Sequence, residues 1–264
     1  VPTNKSKTAK IISVTNQKGG VGKTTTTINL AAALSELKKK VLIIDLDPQG
    51  NASTGLGVEV EDRELSTYEF LVEGVPLEKV AMETEISGLS IVPATIDLSS
   101  ADIDLISNEK RSHLLHEALR KKQENKQKYD YILIDCPPSL NILTVNAMVA
   151  SHSVLIPLQS EFFALEGLSQ LLLTVKEVRQ TANENLRVEG IVLTMFDGRN
   201  NLSKQVEADA RSNLRELVFK TIIPRNVRVS EAPSYSMPVL TYDPSSKGSK
   251  AYMSLAKELL ANNS

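Results

Sequence analysis

A nine-residue run, Gln17-Lys-Gly-Gly-Val-Gly-Lys-Thr-Thr25, sets glycines 19, 20 and 22 between two lysines and closes on two threonines. Glycines at these spacings let the backbone turn with its N–H groups facing inward. A helix starting directly after adds the positive end of its dipole, so the run fits a bound polyphosphate. Lys23 would set a charge between the β- and γ-phosphates, and Thr24 would offer its hydroxyl directly to Mg²⁺. Gly19, Gly20, Val21, Gly22 and Thr25 complete the cradle. A glycine-rich turn that only joined a strand to a helix would not need Lys23-Thr24 at this spacing. The usual expression G-x-x-x-x-G-K-[ST] is nevertheless not met, because Gln17 stands where its first glycine should be and a second lysine, Lys18, opens the loop.

Two further segments end in carboxylates. Val41-Leu-Ile-Ile-Asp-Leu-Asp-Pro48 reads as a buried strand running out into Asp45 and Asp47, and an aspartate so placed should face the phosphates. Tyr131-Ile-Leu-Ile-Asp135 has the form of a Walker B segment, whose carboxylate holds Mg²⁺ through water. Pro137 and Pro138 fix the backbone as it leaves that strand and keep Asp135 aimed. Cys136 has no basic neighbour in sequence and reads as a small core residue. His113, His116 and His152 show no metal-ligand spacing and read as surface or packing residues.

The elements that must position these groups follow from hydrophobic periodicity. Short β-branched runs predict strands at Ile11–Thr15, Val41–Asp45, Leu89–Pro93, Tyr131–Asp135, Ser153–Pro157, Val188–Thr194 and Lys220–Ile223. Helical periods predict helices at Thr24–Lys38, Asn108–Gln123, Leu140–Ala150, Leu165–Thr181, Leu202–Leu217 and Lys250–Ala261, with short helices joined by turns over Glu59–Thr84. The alternation implies an α/β fold: a mostly parallel, doubly wound sheet with helices on both faces, of the P-loop NTPase type. In such sheets the ligand crevice lies beyond the carboxyl ends of the strands, where the Asp, Pro and Thr endings would converge.

With 264 residues the chain suits one domain, 10–264, after a polar, lysine-rich and flexible tail over residues 1–9. A single cysteine and the lack of any secretory h-region point to a cytoplasmic setting. No stretch approaches the ~20 apolar residues that span a bilayer. A net charge of −2 confines any nucleic-acid contact to a local patch. Residues 187–228 supply one, with eight Lys/Arg against five Asp/Glu.

The loop spelling resembles the deviant Walker A ATPases, and the resemblance to the ParA/Soj family within them runs from Ile11 to about Leu260. It passes through Asp45-Leu-Asp-Pro-Gln-Gly-Asn-Ala52, Ile91-Val-Pro-Ala-Thr95, Ile134-Asp-Cys-Pro-Pro-Ser139, Glu161-Phe-Phe-Ala-Leu-Glu-Gly-Leu168 and Ile223-Pro-Arg-Asn-Val-Arg-Val-Ser-Glu-Ala-Pro233. It implies a homodimer with ATP sandwiched between the copies, in which Lys18 reaches across to the other copy's phosphates. Asp47 is then the switch residue that positions the attacking water, and Asp45 supports the metal shell. Pro224 and Asn226 sit by the adenine, and Arg199 and Arg228 bind double-stranded DNA without sequence preference.

The resemblance further implies a ParB-type centromere-binding partner that stimulates hydrolysis, a nucleoid-associated location, and contact with the replication-initiation machinery. The close Soj-like spelling favours a chromosomal over a plasmid role. Two alternatives use the same switch: a MinD-like ATPase that cycles on membranes, and a nucleotide-gated regulatory DNA-binding module with negligible turnover. The segment Lys250–Ser264 has two lysines and one glutamate, which is poor material for an anionic membrane surface.

Overall fold

The structure is a computed structural model that describes residues 8–106, 108–120, 128–161 and 163–263. The expected tail therefore lies outside the described residues through residue 7, as does the end of the helix expected to reach Gln123.

One eight-stranded sheet carries the molecule, in the order β3-β4-β2-β5-β1-β6-β7-β8. The strands are β1 (Lys10–Val14), β2 (Val41–Asp45), β3 (Met82–Glu83), β4 (Leu89–Val92), β5 (Tyr131–Asp135), β6 (Ser153–Gln159), β7 (Arg187–Phe196) and β8 (Val218–Pro224). Every pairing is parallel except β3 with β4. Expected and observed strands agree closely, but β3 lies in a segment expected to be helical. It is two residues long and antiparallel at the sheet edge, too short for any period to announce it.

β2 shows why the sheet must be covered twice. Val41 and Ile43 enter the core with Leu30, Leu34, Tyr252 and Leu255, while Leu42 and Ile44 enter the opposite core with Phe70, Leu98, Ile134 and Leu143. Successive side chains leave a strand on opposite faces, so an uninterrupted apolar strand needs helices on both sides. The helix Lys23–Glu36 lies on the first face together with Lys247–Asn262. That last helix starts three residues before the expected Lys250, because the Ser246 hydroxyl accepts from Ser249 N at 3.1 Å and caps it. Its Glu258 carboxylate accepts the backbone N–H groups of Lys220 at 2.6 Å and Thr221 at 2.9 Å, closing part of the β8 edge.

One helical expectation is corrected and one unexpected helical run is found. The helix expected over Asn108–Gln123 is observed at Leu114–Arg120, with turns before it. Asn146 bonds Arg111 O at 2.7 Å and Leu115 N at 3.2 Å, and these tertiary bonds hold the approach in turns. Residues Ile96–Ser100 and Ala101–Asp104, where hydrophobic periodicity predicts no element, are helical. Their burial of Leu98, Ala101 and Leu105 reveals a core-facing side that serines and aspartates hide in the sequence.

Candidate nucleotide site

β1 is the strand from which the chain departs in both directions along the sheet, with β5 on one side and β6 on the other. The loop after it hangs at the switch point where open α/β sheets bind ligands. Asn16 ties the loop down: its Nδ2 donates to Pro157 O at 2.7 Å and its Oδ1 accepts from Lys18 N at 3.1 Å. On the far side Thr194 Oγ1 donates to Val21 O at 2.8 Å, which joins the end of β7 to the loop. Gly22 adopts φ 86° as the residue capping the helix, a conformation that L side chains resist, and no side chain caps the helix N–H groups. Those donors face the crevice, where an anion would satisfy them. Buried Lys23 turns its Nζ back onto Lys18 O at 3.1 Å, and burial lowers its pKa.

Asp45 and Asp135 are register partners on neighbouring strands, and both are fully buried. Asp135 accepts from Thr24 Oγ1 at 2.7 Å and Thr27 Oγ1 at 2.9 Å. Asp45 accepts from Ser53 N at 3.0 Å, Ser53 Oγ at 2.7 Å and Asp47 N at 3.2 Å. Burial, and then the charge of Asp45, raise the Asp135 pKa to about 8. Burial raises that of Asp45 to about 6 against its hydrogen bonds. Two adjacent buried carboxylates beside the Thr24 hydroxyl form a donor set that a divalent cation would relieve. Among the described residues no three His, Cys, Asp or Glu side chains gather as a metal cage.

Asp47 lies on the turn beyond β2 and is 7% exposed. Its Oδ1 accepts from Gln49 N at 3.0 Å, which fixes the turn. Gly50 follows at φ 61°, and a Cβ there would stand 2.3 Å from Arg63 Nη1. Arg63 is buried and donates to Ala94 O at 3.0 Å and Thr54 Oγ1 at 2.8 Å, while Ala94 N donates to Ser53 Oγ at 3.0 Å. The Asp45–Asp47 turn is therefore wired to the end of β4 through Ser53 and Arg63. Sequence reasoning gives no role to Asn16, Thr27, Ser53 or Arg63. They are common residue types: Asn16 and Thr27 flank the loop 17–25 and Ser53 follows the Asp45–Ala52 segment, but nothing in their local sequence assigns them these partners.

Lys18 differs from Lys23. Its side chain is 45% exposed on the rim of the crevice and pairs with Glu161 from the loop after β6. Glu161 lies in one of the family-like segments, but nothing in its local sequence ties it to Lys18. Pro224 ends β8 and Asn226 follows it, where Arg225 N donates to Phe196 O at 2.9 Å and joins this segment to the end of β7. Asn226 Oδ1 caps the short helix Val227–Glu231 by accepting from Val229 N at 3.3 Å.

Arg199 and Arg228 follow the ends of β7 and β8 at one sheet edge, and both are ion-paired within the chain. Arg199 binds Asp197 through Nε at 3.0 Å and Nη2 at 2.9 Å, and these bonds pull the Asp197 pKa down to about 2. Arg228 meets Glu231 at 2.9 Å and Asp243 at 3.4 Å. Cys136 is buried and its thiol is pushed up by burial, which makes it a poor nucleophile. His152 Nδ1 accepts from Ile11 N at 2.9 Å, a packing role.

A family model described as an AAA domain matches residues 9–188. The sporulation initiation inhibitor protein Soj of Bacillus subtilis is 51% identical over 253 residues, 96% of this chain and 99% of that protein. The chromosome partitioning protein ParA of Caulobacter vibrioides is 51% identical over 252 residues, 96% of this chain and 94% of that protein. The chain belongs to the ParA/Soj family of chromosome-partitioning ATPases. A crystal structure of a protein named cobyrinic acid a,c-diamide synthase, from Mycobacterium smegmatis with bound ADP and magnesium, matches with a TM-score of 0.82 at 36% identity. The match covers 96% of this chain and 94% of that one. The ParA/Soj chain thus has the P-loop NTPase fold that its loop spelling implied, with the deviant lysine on the crevice rim.

Proposed function

We propose that the chain works as an ATP-gated dimerising switch in chromosome segregation, with residues 10–264 acting as one ATPase domain. Mg-ATP is its substrate, held between two copies. The dimer binds double-stranded DNA without sequence preference on the nucleoid, and hydrolysis stimulated by a ParB-type partner returns monomers. The observation that carries this reading is the exposed Lys18 at the crevice mouth, while buried Lys23 already occupies the loop. A cation held outside its own loop is placed to serve a facing copy. Two triphosphates brought together repel, and a lysine supplied in trans offsets that charge only in the dimer.

Within each site the N–H groups of Gly19 to Thr25 and the Lys23 ammonium bind the phosphates, and Pro224 and Asn226 flank the adenine. Thr24 ligates Mg²⁺ directly, and Asp135, Asp45 and Asp47 act through water. Bound Mg²⁺ supplies charge neutralisation at the β- and γ-phosphates. Asp47 orients the attacking water, and the Gln49 N–H that its carboxylate accepts supports that placement. The membrane-cycling alternative loses support from the helix Lys247–Asn262, which commits Tyr252, Leu255, Ala256 and Leu259 to the core. No described helix is long and apolar enough to cross a membrane.

Arg199 and Arg228 share the β7–β8 edge, so a dimer presents both pairs together and weak phosphate interactions add. Arg228→Ala should weaken binding to unrelated duplexes to about the same degree and lower the slope of log affinity against log salt by roughly 0.9 for each phosphate no longer neutralised. Titration of two unrelated duplexes at several salt concentrations checks this. Weakening confined to one sequence would contradict it.

A further inference from the structure

Ile96, Ile103 and Ile106 are 64%, 74% and 70% exposed. A spacing of seven residues sets Ile96 and Ile103 on the side of the helical run away from buried Leu98 and Ala101, and Ile106 follows in the turn beyond it. A surface helix ordinarily has one apolar side, and a second one facing water marks a contact surface.

Charge identifies what fits there. Residues 59–104 hold twelve Asp/Glu against two Lys/Arg, a balance of −10, which leaves +8 for the rest of a chain that is −2 overall. Glu59, Glu61, Asp62, Glu64, Asp97 and Asp104 are all exposed. The two segments that carry them are joined: Thr67 N donates to Pro93 O at 2.7 Å and Tyr68 OH donates to Asp104 at 2.9 Å. This field disfavours DNA and anionic lipid as occupants. β4 belongs to the β3 end of the sheet, and Arg199 and Arg228 to the β8 end. Six strand spacings of about 4.8 Å separate β4 from β8 by roughly 29 Å, and five separate it from β7 by roughly 24 Å, about three Debye lengths at physiological salt. DNA held at one end leaves the other free.

We propose that the isoleucine stripe of residues 96–106 is the docking face for a basic, apolar segment of a protein partner. This rests on the reading that a partner stimulates hydrolysis, and it gives that partner a place. The stripe starts two residues after Ala94, whose backbone bonds Ser53 Oγ and Arg63, and Ser53 Oγ in turn holds Asp45. A segment seated on Ile96 and Ile103 therefore presses on the strand end that sets the Asp45–Asp47 turn.

The test uses the full chain with ATP, DNA and the full-length ParB-type protein encoded by the same genome. Two variants are compared with the parent, Ile96→Ser with Ile103→Ser, and Glu61→Lys with Glu64→Lys; all four side chains are exposed. Basal turnover, ATP-dependent dimer mass and DNA affinity should stay within about twofold. The partner concentration for half-maximal stimulation should rise about tenfold or more in each variant, and added salt should weaken the parent more than the charge variant. Parental stimulation in both variants overturns the proposal. So does disappearance of the ATP-dependent dimer in the serine variant with partner stimulation retained, since the stripe would then face a second copy. If the parent itself is not stimulated, the partner reading falls and the docking face with it, an outcome visible before any variant is compared.

Discussion

Lys18→Ala should leave the protein monomeric in saturating Mg-ATP while nucleotide still binds. Lys18 contributes nothing to its own loop beyond a backbone bond to Asn16 and a carbonyl that accepts from Lys23. Among the described residues its ammonium pairs only with Glu161, and both side chains are nearly half exposed. Such exposed pairs are worth about 0–1 kcal/mol, so the lysine swings free at little cost. Removing it from a face where two triphosphates approach should weaken the ATP dimer by about 100-fold or more, about 2.8 kcal/mol. Lys23→Ala should behave differently, because Lys23 is buried inside the loop and its removal should abolish nucleotide binding or its consequences. Light scattering and nucleotide titration separate the two variants. An unchanged ATP-dependent dimer in Lys18→Ala would remove the main support for the trans role.

Asp47→Ala should do the opposite and trap the dimer. The phosphate cradle, Lys18 and Lys23 all remain, so binding and dimer formation persist. The carboxylate proposed to orient water is gone, and turnover should fall by about 100-fold or more. Asp45 keeps its bonds to Ser53, so the metal side of the site stays in place. Dimer lifetime after removal of free ATP reads the effect. A monomer under saturating ATP, or parental turnover, would show that Asp47 is a turn residue only.

The parts of this site that are legible in the sequence are those that are continuous in the chain. The loop 17–25 joins a strand end to a helix start in one stretch, so the phosphate-binding reading of its glycines, Lys23 and Thr24 follows from spacing, whereas that of Lys18 rests on the family resemblance. Asp45 and Asp135 are legible as endings of apolar strands, and the register sets them side by side. Ser53 and Arg63 are not legible, because a serine and an arginine in a polar segment have many ordinary uses. Only the fold brings them against Asp45 and Ala94. Glu161 is invisible as a partner of Lys18 for the same reason, being 143 residues away. The fold shows a parallel contrast. Buried strands announce themselves by apolar runs, whereas the helical run 96–104 packs through a few scattered apolar residues among serines and aspartates.

The most direct test is fluorescence anisotropy of a random-sequence DNA duplex titrated with the protein in four states: no nucleotide, ADP, ATP, and a slowly hydrolysed ATP analogue, each nucleotide with Mg²⁺. Binding in the two ATP-like states and not in the others is the predicted result. Equal binding in all four states, or none in any, would contradict an ATP-gated DNA-binding dimer.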